Sequence, residues 1–125
     1  MLLVDETTGD IELVQGDSGT LYVDGIPDDK NYKVYFSIYN SNGKILGDEV
    51  WVYSYNLPTV TFEIPSTLTD LLTVKGSIDD TAEYYYGVKV CDEESGFEDT
   101  LLIGNKDIGE LNIMTVHRKT TEGTV

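Results

Sequence analysis

The sequence predicts an all-β protein, an antiparallel β-sandwich of about seven or eight strands with one short helical turn near 66–72. Three observations carry that expectation. Apolar residues alternate with a period of two over several stretches, turn-forming residues separate those stretches, and a helical apolar stripe is almost missing.

In chain order, residues 1–10 are polar or irregular and are expected as an extended flanking segment. Short strands follow at 11–14 and 20–24, parted by Gln15-Gly16-Asp17-Ser18-Gly19, whose glycines suit positive φ. After the turn Gly25-Ile26-Pro27-Asp28-Asp29, Tyr32, Val34, Phe36 and Ile38 point one way and Lys33, Tyr35, Ser37 and Tyr39 the other. That is the pattern of a half-buried strand. Asn40-Ser41-Asn42-Gly43 turns the chain into 49–55, where Trp51, Tyr53 and Tyr55 share one face and Val50 and Val52 the other. Such a strand reads as central to a sandwich. Beyond Asn56-Leu57-Pro58, Val60, Phe62 and Ile64 alternate with Thr59, Thr61 and Glu63. Ser66 or Thr67 could then cap one helical turn through Leu68, Leu71 and Leu72, a crossover between sheets. Tyr84, Tyr86, Val88 and Val90 alternate with Glu83, Tyr85, Gly87 and Lys89; Glu94-Ser95-Gly96 turns, and 101–103 and 111–118 close the set. Residues 119–125 are the second flank.

Length bounds the chain to a single domain, 1–125, with no linker or repeat to divide it. Its 23 carboxylates outnumber its 8 Lys and Arg, for a net charge of −15 and a pI near 4.1. A protein that grips phosphates needs a basic stripe, so nucleic acid and anionic membrane are poor partners. No apolar run approaches the roughly 20 residues of a membrane span, and the opening residues lack a signal peptide's pattern, so synthesis in the cytosol is expected. The single cysteine, Cys91, excludes an internal disulfide and a Cys-cluster zinc site.

Candidates for chemistry are few. His117 is the one histidine, beside Arg118 and Lys119, without a Gly-x-Ser-x-Gly elbow. Cys91 precedes Asp92-Glu93-Glu94, whose charge opposes thiolate formation. Carboxylates cluster at Asp28-Asp29, Asp48-Glu49, Asp79-Asp80, Asp92-Glu93-Glu94 and Glu98-Asp99, in expected turns or strand ends. Acid–base catalysis would need two of them facing across a cleft. Calcium would need converging oxygens, and the Asp-x-Asp-x-Asp-Gly spacing is not there. The reading is therefore non-enzymatic, with no catalytic residue, metal or cofactor. Trp51, Tyr53 and Tyr55 could instead form a flat sugar-stacking platform or a protein-docking surface.

Two resemblances add to this. Asp80-Thr81-Ala82-Glu83-Tyr84-Tyr85-Tyr86 resembles the segment opening strand F of immunoglobulin domains, which implies an Ig-like sandwich with Tyr84 as its structural tyrosine-corner residue. Tyr86 stands where that family has its second cysteine.

The arrangement as a whole resembles small Ig-like virion proteins of tailed bacteriophages. The residues are Ile11-Glu12-Leu13-Val14-Gln15-Gly16-Asp17-Ser18-Gly19, Tyr35-Phe36-Ser37-Ile38-Tyr39, Phe62-Glu63-Ile64-Pro65, Tyr86-Gly87-Val88-Lys89-Val90 and Glu98-Asp99-Thr100-Leu101-Leu102. The resemblance implies a structural building block in a baseplate, tail or fibre attachment, or alternatively a capsid decoration or head-fibre protein. It would be made in the host bacterial cytoplasm and end in the virion. Its partners would be other virion proteins and copies of itself, with Asp92, Glu93, Glu94, Phe97, Arg118 and Lys119 as expected contacts. Residues 1–29 hold eight carboxylates and no Lys or Arg, so copies packed head to tail could pair that acidic lead-in with the basic His117-Arg118-Lys119.

Overall fold

Alternation along the middle of the chain becomes burial in the computed structural model, which describes residues 1–75, 81–104 and 112–121. On β4 (Lys33–Tyr39) the side chains of Val34, Phe36 and Ile38 are fully buried, whereas Lys33, Tyr35, Ser37 and Tyr39 lie half-buried on the opposite face. β6 (Thr59–Ile64) alternates between buried and exposed side chains, and the long β7 (Thr81–Asp92) alternates beyond Tyr86, whereas Tyr84, Tyr85 and Tyr86 are all buried, Tyr85 against the expectation of an outward position. The other strands are β1 (Leu2–Val4), β2 (Ile11–Val14), β3 (Gly19–Asp24), β5 (Ile45–Tyr53), β8 (Phe97–Ile103) and β9 (Ile113–His117).

The fold is an all-β sandwich of two unequal sheets. The larger runs β1-β2-β9-β7-β4-β5, with β8 also paired to β7; the smaller is β3-β6. β8 and β9 lie on the same edge of β7, β9 pairing Thr81 to Tyr85 and β8 pairing Gly87 to Asp92. Between the layers sit Leu21, Val23, Val60, Phe62 and Ile64 from the small sheet and the inward residues of β2, β4, β7 and β9 from the large one. Phe36 is the centre, with ring centroids 5.7 Å from Phe62 and 5.6 Å from Tyr86.

Several expectations are corrected. Nine strands are described, because the lead-in expected as a flank contributes β1. That strand is held antiparallel to β2 and anchored where Leu2 lies against Gly19. Gly19 has no positive φ; a Cβ there would come within 2.5 Å of Leu2, so close approach is what requires glycine. The sandwich is not wholly antiparallel, since β2 pairs β9 in parallel. Helix α1 (Ser66–Thr69) is shorter than 66–72 and begins after Pro65 without a side-chain cap. Leu68 and Leu72 are buried and Leu71 is exposed.

β5 starts earlier than expected and is an edge strand, not a central one. Its register against β4 jumps between Phe36/Val50 and Ile38/Leu46, so extra residues bulge out around Gly47, whose φ is +68°. The bulge points Asp48 and Glu49 to solvent and breaks the edge that another strand would otherwise extend.

Tyr84 ties the crossover to the sheet: its hydroxyl donates to the carbonyl of Thr73 at 2.7 Å, eleven residues upstream. The strand-F resemblance implies a hydroxyl bonded to upstream backbone; this bond is of that kind but reaches further back than the few residues of a tyrosine corner. Asp79 and Asp80, and residues 122–125 of the second flank, lie outside the described residues.

Candidate functional site

Residues expected to meet partners fall at opposite ends of the sandwich. The turn Asp92 to Phe97 follows the last residue of β7, whereas Arg118 and Lys119 follow β9, which ends opposite Thr81 at the start of β7. Eleven residue steps of β7 separate the two groups, roughly 36 Å at a rise of about 3.3 Å per residue. They cannot form one contact surface.

Asp92, expected as a contact, is turned into the protein. Its side chain continues the inward series Tyr84, Tyr86, Val88, Val90 and is buried, 5% exposed. There it accepts from Ser95 Oγ at 2.7 Å, from Lys30 Nζ at 3.1 Å and from the Glu94 N–H at 3.2 Å. Those donors, Ser95 first and then Lys30, hold its carboxyl below the usual carboxylate range. Asp92 thus closes the β7–β8 turn and clips the 25–31 loop onto it. Glu93, Glu94 and Phe97 remain exposed.

The basic end is bound within its own chain. Lys119 Nζ donates to Asp70 Oδ1 at 2.7 Å, and His117 Nε2 pairs with Glu12 Oε1 across the parallel β2–β9 ladder. His117 therefore meets Glu12 of the acidic lead-in inside one molecule, while Lys119 is held by Asp70, outside that lead-in. Arg118 is exposed. Cys91 is half-buried on the outer face of β7. Among the described residues no three His, Cys, Asp or Glu side chains lie together as metal ligands would, and no helix is long and apolar enough to cross a membrane.

The aromatic row is the feature that the structure gathers. Trp51 and Tyr53 project from the outer face of β5, with ring centroids 5.5 Å apart and edge to face. Tyr55 does not share their strand, which ends at Tyr53. It sits in the following turn with φ of 52°, its N–H held by Asn31 Oδ1 at 2.7 Å. Ser54 beside it is buried, its Oγ accepting from the Tyr32 N–H at 2.9 Å. These bonds bring the Tyr55 ring to 6.2 Å from Tyr53, so three rings form a continuous strip although only two stand on a strand. Trp51 is 48% exposed and Tyr55 69%.

Charges frame the strip. Lys33 Nζ lies 4.0 Å from the Trp51 ring centroid and 5.3 Å from that of Tyr35, a cation held over two π faces. The Tyr35 hydroxyl is the main cause that keeps the Lys33 ammonium above its ordinary range. Glu93 faces Tyr53 and raises the pKa of that phenol. A shallow hollow of about 420 Å³ runs along the strip between Trp51 and Thr61.

Alternation alone reads β5 as central because it cannot tell an edge strand from a central one. Lys33, at the expected outward position of β4, was the available signal: it pairs across from Tyr53, so β5's odd residues share the face of a charged side chain. No protein-family model matches this chain, and a comparison with curated proteins returns no match.

Proposed function

We propose that this chain is a non-enzymatic structural and assembly protein of a tailed-phage virion, a baseplate, tail or fibre-attachment component. It docks neighbouring virion proteins and copies of itself through side chains. The observation that carries the docking reading is the solvent-facing strip Trp51-Tyr53-Tyr55. Trp and Tyr dominate protein-interface energetics because each buries a large, rigid, amphipathic surface at small entropic cost. Backbone pairing at β5 is opposed by the bulge at Gly47, so docking there runs through the rings rather than by strand addition. The virion setting rests on the sequence resemblance, and the net charge of −15 suits a part that stays soluble before assembly and away from packaged DNA. A decoration or head-fibre protein on the capsid is the same mechanism at another station.

The second reading, a carbohydrate-binding module, is favoured by the exposure of the three rings. It is weakened by Lys33, which already covers a face of Trp51 that a sugar ring would stack on. Peptide mass spectrometry of purified particles from the phage that encodes the chain tests the proposal. The expected result is this chain at a fixed ratio to the other particle proteins; its absence from intact particles overturns the proposal.

A further inference from the structure

We propose that the depression on the outer face of the large sheet, centred on the cross-strand pair Ser37 and Gly87, binds a neutral pyranose unit of an oligosaccharide. This site adjoins the aromatic strip through Tyr35, which pairs across from Trp51, but is centred elsewhere and does not depend on the docking role.

Side-chain size at two registered positions creates the hollow. Ser37 on β4 and Gly87 on β7 are direct partners in the middle of the sheet, so a sheet face that would carry two side chains there carries one hydroxymethyl. Around that floor stand Tyr35 and Tyr39 from β4, Ile45 and Glu49 from β5, and Thr100 and Ile103 from β8. The open hollow measures about 480 Å³, enough for one sugar ring with part of its neighbour. Tyr39 is fixed, its ring stacked on Tyr85 at 5.9 Å and its hydroxyl donating to the Gly104 carbonyl. A wall so held costs little entropy on binding.

The lining selects the ligand class. Among the described residues the side chains of Ser37, Glu49 and Thr100 make no hydrogen bond, so two hydroxyls and one carboxylate face the hollow with their bonding capacity open. A polyhydroxylated ring offers donors and acceptors to all three while its C–H face lies on the side of Tyr39 not stacked on Tyr85, since Lys33 lies over Tyr35. Ile45 and Ile103, 50% and 52% exposed at the rim, suit an apolar substituent such as an N-acetyl methyl. Charge decides between neutral and acidic sugars. Lys89, the one cation of the lining, is engaged by Glu98 at 3.3 Å, which leaves the Glu49 carboxylate to repel an anionic glycan.

The test is a ¹H–¹⁵N titration of the full chain with triacetylchitotriose, cellotriose and maltotriose, each to about 10 mM. A ligand contacting about a dozen heavy atoms in an open hollow is expected to bind with a millimolar Kd. At least one probe is expected to shift the Ser37, Gly87 and Thr100 amides. Ser37→Leu, which fills the floor, should weaken binding tenfold or more. Glu49→Gln and Thr100→Val, on exposed positions that leave the core untouched, should each weaken it about threefold. Trp51→Ala should change it less than twofold. Three outcomes overturn the proposal: no shift with any probe, shifts confined to the strip and abolished by Trp51→Ala, or shifts at the hollow that follow protein dilution and not sugar. The second outcome would establish the strip as the sugar platform, and none of the three bears on incorporation into particles.

Discussion

Raising the pH should turn the Tyr86 hydroxyl from a stabilising group into a destabilising one. Tyr86 is 3% exposed, its ring lies against Phe36, and its hydroxyl donates to the Gly9 carbonyl and sits 3.2 Å from Asn112 Oδ1. Burial, assisted by the Asp10 carboxylate, pushes its pKa up to about 12, against 10.0 for a free phenol. The neutral form is thus favoured in the folded state, and this contribution is complete below pH 10 and lost as the pH climbs through 12. A gap of about 2 in pKa corresponds to about 3 kcal/mol, of which about 2 kcal/mol is gone by pH 12. Tyr86→Phe removes the titrating group and one hydrogen bond, a cost of about 1 kcal/mol near neutrality. Guanidinium unfolding of both proteins between pH 8 and pH 12 should show curves that cross, wild type ahead at pH 8 and the variant ahead by about 1 kcal/mol at pH 12. Tyrosines common to both proteins cancel in that difference. Parallel curves across the range would refute the reasoning that this phenol is buried as a neutral donor.

Tyr84→Phe deletes the bond to Thr73 and should lower stability by about 1 kcal/mol, or about 4 °C in Tm by calorimetry. Gly47→Val forces a β-branched side chain to φ of +68° with its Cβ 2.8 Å from Leu68 Cδ1. A loss of about 1–3 kcal/mol is expected, with hydrogen exchange rising first in β5. Asp92→Asn should be destabilised at pH 7, and its deficit should shrink as the pH falls through about 4. The depressed Asp92 carboxyl contributes stability above the ordinary carboxylate range and loses it on protonation, so urea midpoints of the two proteins should converge in acid. Trp51→Ala, on a half-exposed ring held by a cation–π contact with Lys33 and an edge-to-face contact with Tyr53, should cost about 1 kcal/mol in denaturant titration.

Strands β4 and β6, and β7 beyond Tyr86, were legible because each has one fully buried face and one more exposed face, and that asymmetry is what a period of two records. The same period, carried two residues further than the apolar run, reaches Asp92 and marks it as inward; its acidic neighbours hid that signal. β1 was not legible. Leu2-Leu3-Val4 is too short to alternate, and it becomes a strand only because Leu2 finds Gly19 and β2 is beside it. Nor could the sequence show the parallel β2–β9 pairing, which joins residues about a hundred positions apart and carries the Glu12–His117 contact. The strip was visible as residues but not as a surface, because Tyr55 joins it through a left-handed turn pinned by Asn31. The hollow left no trace in the sequence, since Ser37 and Gly87 become neighbours only through the register of β4 on β7.

The central claim is that this molecule works by presenting an aromatic surface to its neighbours in a particle. Supplying assembling phage with equal amounts of wild-type chain and a Trp51→Ala/Tyr53→Ala/Tyr55→Ala variant, each isotopically distinct, measures that directly. The account expects both to fold and the finished particles to hold wild type in at least tenfold excess. Equal incorporation of the two would contradict it.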